Sequence, residues 1–86
     1  MEMIRVSSSS QPTKVAGALT SLLRLHSCVQ IQVIGAAALN QAMKAIAISR
    51  GYVASGGKDI CCIPSFYDLV IDEQTITSLR LNVEMF

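Results

Sequence analysis

No tryptophan occurs in this chain, and histidine occurs once, as His26. The three cysteines, Cys28, Cys61 and Cys62, include no C-x-x-C pair. Ligand count and spacing therefore exclude a zinc finger, and no metal site is expected. An odd cysteine number with two adjacent also argues against a disulfide framework and for a reduced, cytoplasmic protein. Charge is scarce: 15% of residues are Asp, Glu, Lys or Arg, against about 25% in an average domain. With 51% hydrophobic residues, intrinsic disorder is excluded. Even so, no apolar run reaches the roughly 18 residues of a transmembrane helix. The first residues lack a basic segment leading into an apolar stretch with a cleavage site, so no signal peptide is expected. Neither G-x-x-x-x-G-K nor G-x-G-x-x-G is present, which argues against a nucleotide-binding loop. Gly-x-Ser-x-Gly is missing too, and Ser65 has no evident base. No enzyme activity and no cofactor are expected.

What is present is apolar. The 86 residues suffice for one domain, residues 1–86, with a thin core. A chain with this apolar excess has more hydrophobic surface than one small core hides, so a homodimer or homotetramer is expected. Net charge is +1, but it is unevenly spread. Residues 1–58 hold six bases (Arg5, Lys14, Arg24, Lys44, Arg50, Lys58) and the single acid Glu2. Residues 59–86 hold Arg80 against Asp59, Asp68, Asp72, Glu73 and Glu84. An anion-binding site belongs in the first part.

The pattern along the chain reads β-α-β-α-β-β. Met3 to Val6 is a short strand, and Ser7 to Ser10 a loop. Pro12 suits a first helical turn, where its missing N–H has no partner. Val15, Leu19, Leu22, Leu23 and His26 then share one helical face, and Gly17 is expected to mark a close backbone contact. Val29 to Ile34 is a strand with Val29, Ile31 and Val33 on one side. A helix between these strands makes them parallel. Gly35 ends the second strand, and Ala36 to Arg50 is an alanine-rich helix closed by Gly51. Ser55-Gly56-Gly57 is a loop. Lys58 to Ile71 and Thr75 to Phe86 are long strands joined at Asp72-Glu73-Gln74. Leu79, Leu81, Val83 and Met85 share one face of the last strand. Pro64 restricts the third strand to a sheet edge or a bulge. One mixed four-stranded sheet with two helices on one face follows.

Two features carry candidate chemistry. A strand running through Gly35 into a helix presents free N–H groups and a positive dipole end. The serine loop lies on the same edge of the sheet, the edge ligands favour in open α/β folds. Asn40 and Gln41 interrupt an apolar helix start with amide groups suited to base edges or backbone. Lys44 follows Asn40 by four residues on the same face, and Lys14 approaches from the first helix. The expected nucleic-acid surface is therefore Ser9, Ser10, Gln11, Lys14, Asn40, Gln41 and Lys44. Serines and helix N–H groups would take phosphates, lysines would attract, and the amides would contact bases or sugars. Cys61 and Cys62 point to opposite faces and are poorly placed to share a metal.

Four segments together resemble the stage V sporulation protein S family: Val15 to Leu19, Ile34 to Ala42, Ile48 to Val53 and Cys62 to Phe66. The Gly-Ala-x-Ala-Leu-Asn-Gln-Ala block is the most specific of them. The resemblance covers essentially the whole chain and implies a cytoplasmic bacterial protein of sporulation or developmental regulation. That family is similar to the Alba group of chromatin and RNA-binding proteins, which implies an Alba-like fold and a dimer that binds DNA or RNA. Residues Ala38 to Met43 are similar to that group's second-helix motif. This chain departs from the Alba pattern at three contact points. Ser10 and Gln11 stand where lysines are usual, Gly35-Ala36-Ala37 replaces a basic helix start, and the hairpin carries Asp68, Asp72 and Glu73. Few counterions would be released, so modest affinity is expected. The alternative is an oligomeric protein-interaction module that binds no nucleic acid.

Overall fold

The computed structural model describes residues 2–86. The elements run β1 (Glu2–Val6), α1 (Pro12–Leu25), β2 (Cys28–Val33), α2 (Ala36–Ala54), β3 (Ile60–Ile71) and β4 (Gln74–Met85). The sheet order is β1-β2-β4-β3. β1 and β2 are parallel, and the other two pairings are antiparallel. This is the mixed sheet with two helices that the hydrophobic pattern predicts.

One sheet face carries the core. Val29, Ile31 and Val33 of β2 align with Val83, Leu81 and Leu79 of β4. Val29, Ile31, Val33, Leu81 and Val83 are all buried, and Val6 joins them from β1. Leu19 and Leu23 from α1 and Ala38, Ala42, Ile46 and Val53 from α2 cover this face. Burying each of the larger side chains contributes roughly 1.5–3 kcal/mol. Between the helices the contact is built from small groups. Ala16 and Ala45 are buried there, and the Thr20 and Ser49 hydroxyls bond at 2.7 Å across the two helices.

Three local expectations are corrected. First, α2 runs through Gly51 to Ala54. Val53 is buried and extends the stripe of Ala42, Ile46 and Ser49 by another turn, so packing overrides the glycine. The stop comes at Gly57, with φ +76°. The Gly57 N–H donates to the Ala54 carbonyl, and the Lys58 N–H to that of Val53. That is the usual glycine-dependent helix end, six residues later than expected. Second, Gly17 marks no close contact, because a β-carbon there would meet nothing within 4 Å. Third, His26 is not on the core face. It follows the last turn of α1, exposed, with Nε2 3.6 Å from Glu2.

β3 and β4 outrun the sheet. Pairing of β2 with β4 ends at Val33 and Leu79, whereas β3 and β4 pair on to Ile71 and Gln74. The extra length is a two-stranded arm, and it stretches the molecule to 46 × 23 × 16 Å. Only Asp72 and Glu73 form the tip, both at positive φ (50° and 63°). A two-residue hairpin turn demands this geometry, and Asn-Gly adopts it most easily. Pro64 lies on β3, the edge strand, where a missing N–H is tolerated.

Candidate nucleic-acid interface

β1 and β2 point their carboxyl ends the same way, so the serine loop and the start of α2 come out side by side. A hydrogen bond joins them: Gln41 Nε2 donates to the Ser10 carbonyl at 3.0 Å. This contact spans 31 residues of sequence. It makes the β1–α1 loop and the first turns of α2 one continuous surface.

The serine loop holds its shape through its own hydroxyls. Ser10 Oγ accepts from the Ser7 N–H at 2.9 Å, and Ser7 Oγ accepts from the Ser9 N–H at 3.3 Å. Ser7 Oγ also lies 3.1 Å from Ser9 Oγ and 3.3 Å from Ser10 Oγ. Serine competes well for backbone groups in this way. Ser9 and Ser10 are thus partly used as loop scaffolding, and Gln41 as the tether. Gln11 precedes α1 as its N-cap residue, without a side-chain cap bond.

The remaining expected residues are free to act outward. Lys14, Asn40 and Lys44 are exposed. Neither lysine joins an ion pair among the described residues, where the pairs are Arg50–Asp59 and His26–Glu2. α2 is preceded by its N-cap residue Gly35, whose φ of +87° is readily adopted only by glycine. The Leu39 N–H makes the first bond of the helix, to the Gly35 carbonyl at 3.1 Å. The N–H groups of Ala36, Ala37 and Ala38 therefore lack intrahelical partners. No acid occupies that first turn and no side chain caps it.

The arm works against a polyanion. Asp68 sits there, accepting from the Thr77 hydroxyl at 3.2 Å, with Asp72 and Glu73 at the tip. An apolar groove of about 610 Å³ runs between α2 and β3, walled by Leu39, Met43, Cys62, Pro64, Phe66 and Leu79. Phe66 is 79% exposed at its rim. No charged side chain lines this groove.

Among the described residues, no three His, Cys, Asp or Glu side chains come together as a ligand cluster. Burial pushes the Cys62 and Cys28 thiols above the usual range. The Asp59 carboxyl is held below its usual value by the Arg50 guanidinium, which donates to it through Nε at 2.7 Å and Nη2 at 3.2 Å. No described helix is long and apolar enough to cross a membrane.

Arg5, Gln32 and Arg80 are not among the expected residues. They stand in one row across the uncovered sheet face, Gln32 paired with Arg5 on one side and Arg80 on the other. Strand alternation alone places all three opposite the core, but only the sheet order sets them side by side.

A family model described as stage V sporulation protein S matches residues 2–86.

Proposed function

The chain belongs to the stage V sporulation protein S family, a membership that supports a sporulation-associated role, and from this premise we propose that it acts there by binding DNA or RNA. The Gln41–Ser10 hydrogen bond is the observation that carries the reading. It holds the serine loop against α2, which supports a surface that draws on the free helix N–H groups and on the exposed side chains of Lys14, Asn40 and Lys44. Unpaired lysines attract phosphates without specifying sequence, and the Asn40 amide adds contacts to bases or sugars. With two lysines per copy and acids on the arm, affinity is modest and strongly salt-dependent.

The test is a double variant, Asn40→Ala with Lys44→Ala. Both side chains are exposed, so the circular dichroism spectrum should be unchanged. Anisotropy with labelled duplex DNA and single-stranded RNA should show binding lost. Binding retained by the folded double variant would remove this surface from consideration.

A second reading rests on the apolar groove between α2 and β3. Its occupant would be a second copy of this chain. Two-fold symmetry sets a patch against itself, and an uncharged groove brings no like charges together. On that reading the protein regulates through oligomerisation and protein contacts. The readings are compatible, since a dimer doubles the lysine count of the nucleic-acid surface. Sedimentation of Phe66→Asp separates them: a monomer that still binds nucleic acid favours the first, and a monomer that binds none ties binding to assembly.

A further inference from the structure

We propose that the uncovered face of the sheet binds single-stranded nucleic acid, an inference that rests on the nucleic-acid reading above and names its substrate class. Both helices pack on the other face, which leaves this one without a covering layer. Strand alternation puts Arg5 of β1, Gln30 and Gln32 of β2, Arg80 and Asn82 of β4, and Tyr67 of β3 on it. Arg5 is exposed and the other five are half-buried. Neither arginine joins an ion pair among the described residues. The acid of this face, Glu84, lies beyond Asn82 and away from the Arg5–Gln32–Arg80 row, and alternation turns Asp68 to the opposite side. Positive charge therefore gathers in that row, and a phosphate backbone complements it.

Charge is joined by planar groups. The Arg80 guanidinium lies over the Tyr67 ring, 4.5 Å from its centre, and its Nε is buried without a hydrogen-bond partner. Unstacked bases of single strands settle on aromatic rings and guanidinium planes of this kind. The amides beside this pair are held in place: Gln30 Nε2 donates to Asn82 Oδ1 at 3.0 Å, and Asn82 Nδ2 donates to the Ile63 carbonyl at 3.3 Å. Side-chain amides in fixed positions suit base edges. Ile63, 56% exposed, adds an apolar contact. A duplex hides the faces of its bases, and four strands at about 4.8 Å spacing are wider than its roughly 12 Å major groove. The face is also continuous with the surface already described. Arg5 and Gln32 line a cavity of about 680 Å³ together with Ser7 and Ser8 of the serine loop. One strand held at Lys14, Asn40 and Lys44 so passes the loop and continues over the sheet, which adds to that surface without replacing it.

The experiment is fluorescence anisotropy with labelled probes of about 12 nucleotides: a uridine-rich RNA, the matching thymidine-rich DNA strand, and a DNA duplex. The intact chain should bind the single strands about tenfold more tightly than the duplex. Arg80→Gln should weaken the single strands about tenfold, the usual loss of one stacking platform, and leave the duplex unchanged. Arg5→Gln should reduce the log–log salt slope by about 0.7 for single strands and leave that for the duplex as it was. Should Arg80→Gln fail to fold, Arg5→Gln decides alone, since its position is exposed on an edge strand. The tighter of the RNA and DNA strands identifies which backbone the face takes. A duplex bound as tightly as the single strands, or single-strand binding that neither variant moves, would overturn this proposal and leave the nucleic-acid reading standing. Absence of binding to every probe would end both. A second copy covering this face would show as sedimentation altered by Arg80→Gln with single-strand affinity unmoved, and would likewise overturn it.

Discussion

Replacing Gly51 by alanine should stabilise this protein. Gly51 lies in the interior of α2, three residues before its end, and is exposed. A β-carbon built there meets no heavy atom within 4 Å, and the backbone is not in the left-handed region. The substitution therefore carries no steric cost in the folded chain. It gains the helix-propensity difference between glycine and alanine, about 1 kcal/mol. For a domain of this size that is about 4–8 °C in Tm. Thermal and urea unfolding by circular dichroism would measure it, at one fixed protein concentration because assembly contributes to apparent stability. Gly35→Ala is the matched control. At φ +87° and ψ 161° a side chain is strained whatever the space, so this variant should lose about 1–3 kcal/mol. An unchanged or lowered midpoint for Gly51→Ala would refute the reasoning. It would mean that something beyond this chain approaches the Gly51 backbone.

Four further outcomes follow from the same geometry. Thr20→Val should cost about 1–3 kcal/mol, read from urea midpoints, because it leaves the buried Ser49 hydroxyl unpaired; adding Ser49→Ala should recover part of that loss. Changing Asp72-Glu73 to Asn-Gly should raise stability by about 1–2 kcal/mol, since both tip residues now hold positive φ without glycine. The Arg50–Asp59 pair should contribute above the ordinary aspartate pKa and be lost as pH falls through the lowered folded value. Arg50→Ala should accordingly narrow its stability gap to the parent chain below about pH 4, measured by acid titration of unfolding. Iodoacetamide at neutral pH should modify exposed Cys61 before Cys62 and Cys28, whose thiols burial pushes up, as peptide mass mapping would show.

Much of the fold is legible in the residues because two periodicities dominate it. Alternation at Val29, Ile31, Val33 and at Leu79, Leu81, Val83 places the core face of the sheet without any structure. The helix between β1 and β2 dictates their parallel pairing. Element ends are less legible, since local preference and packing compete there. Gly51 has the local signature of a helix stop, yet burying Val53 outweighs it. Gly17 and His26 mislead similarly: one suggests close packing that does not exist, the other continues a stripe past the helix end. The candidate surface is partly legible. The adjacency of the serine loop and α2 follows from parallel β1 and β2, but the Gln41 tether does not, because its acceptor is a backbone carbonyl 31 residues away. The Arg5–Gln32–Arg80 row depends on β4 lying between β2 and β3, and nothing within β4 specifies that neighbour.

Salt dependence tests the central claim most directly. Affinity for a labelled duplex and a single-stranded RNA should be measured by anisotropy across a range of salt. Two lysines neutralising two phosphates per copy predict a log–log slope near −1.8 for duplex DNA, twice that for a dimer acting as one unit. Lys44→Ala should reduce the slope by about 0.9 per copy. Absence of binding at the lowest salt, or a slope that Lys44→Ala leaves unchanged, would contradict the account.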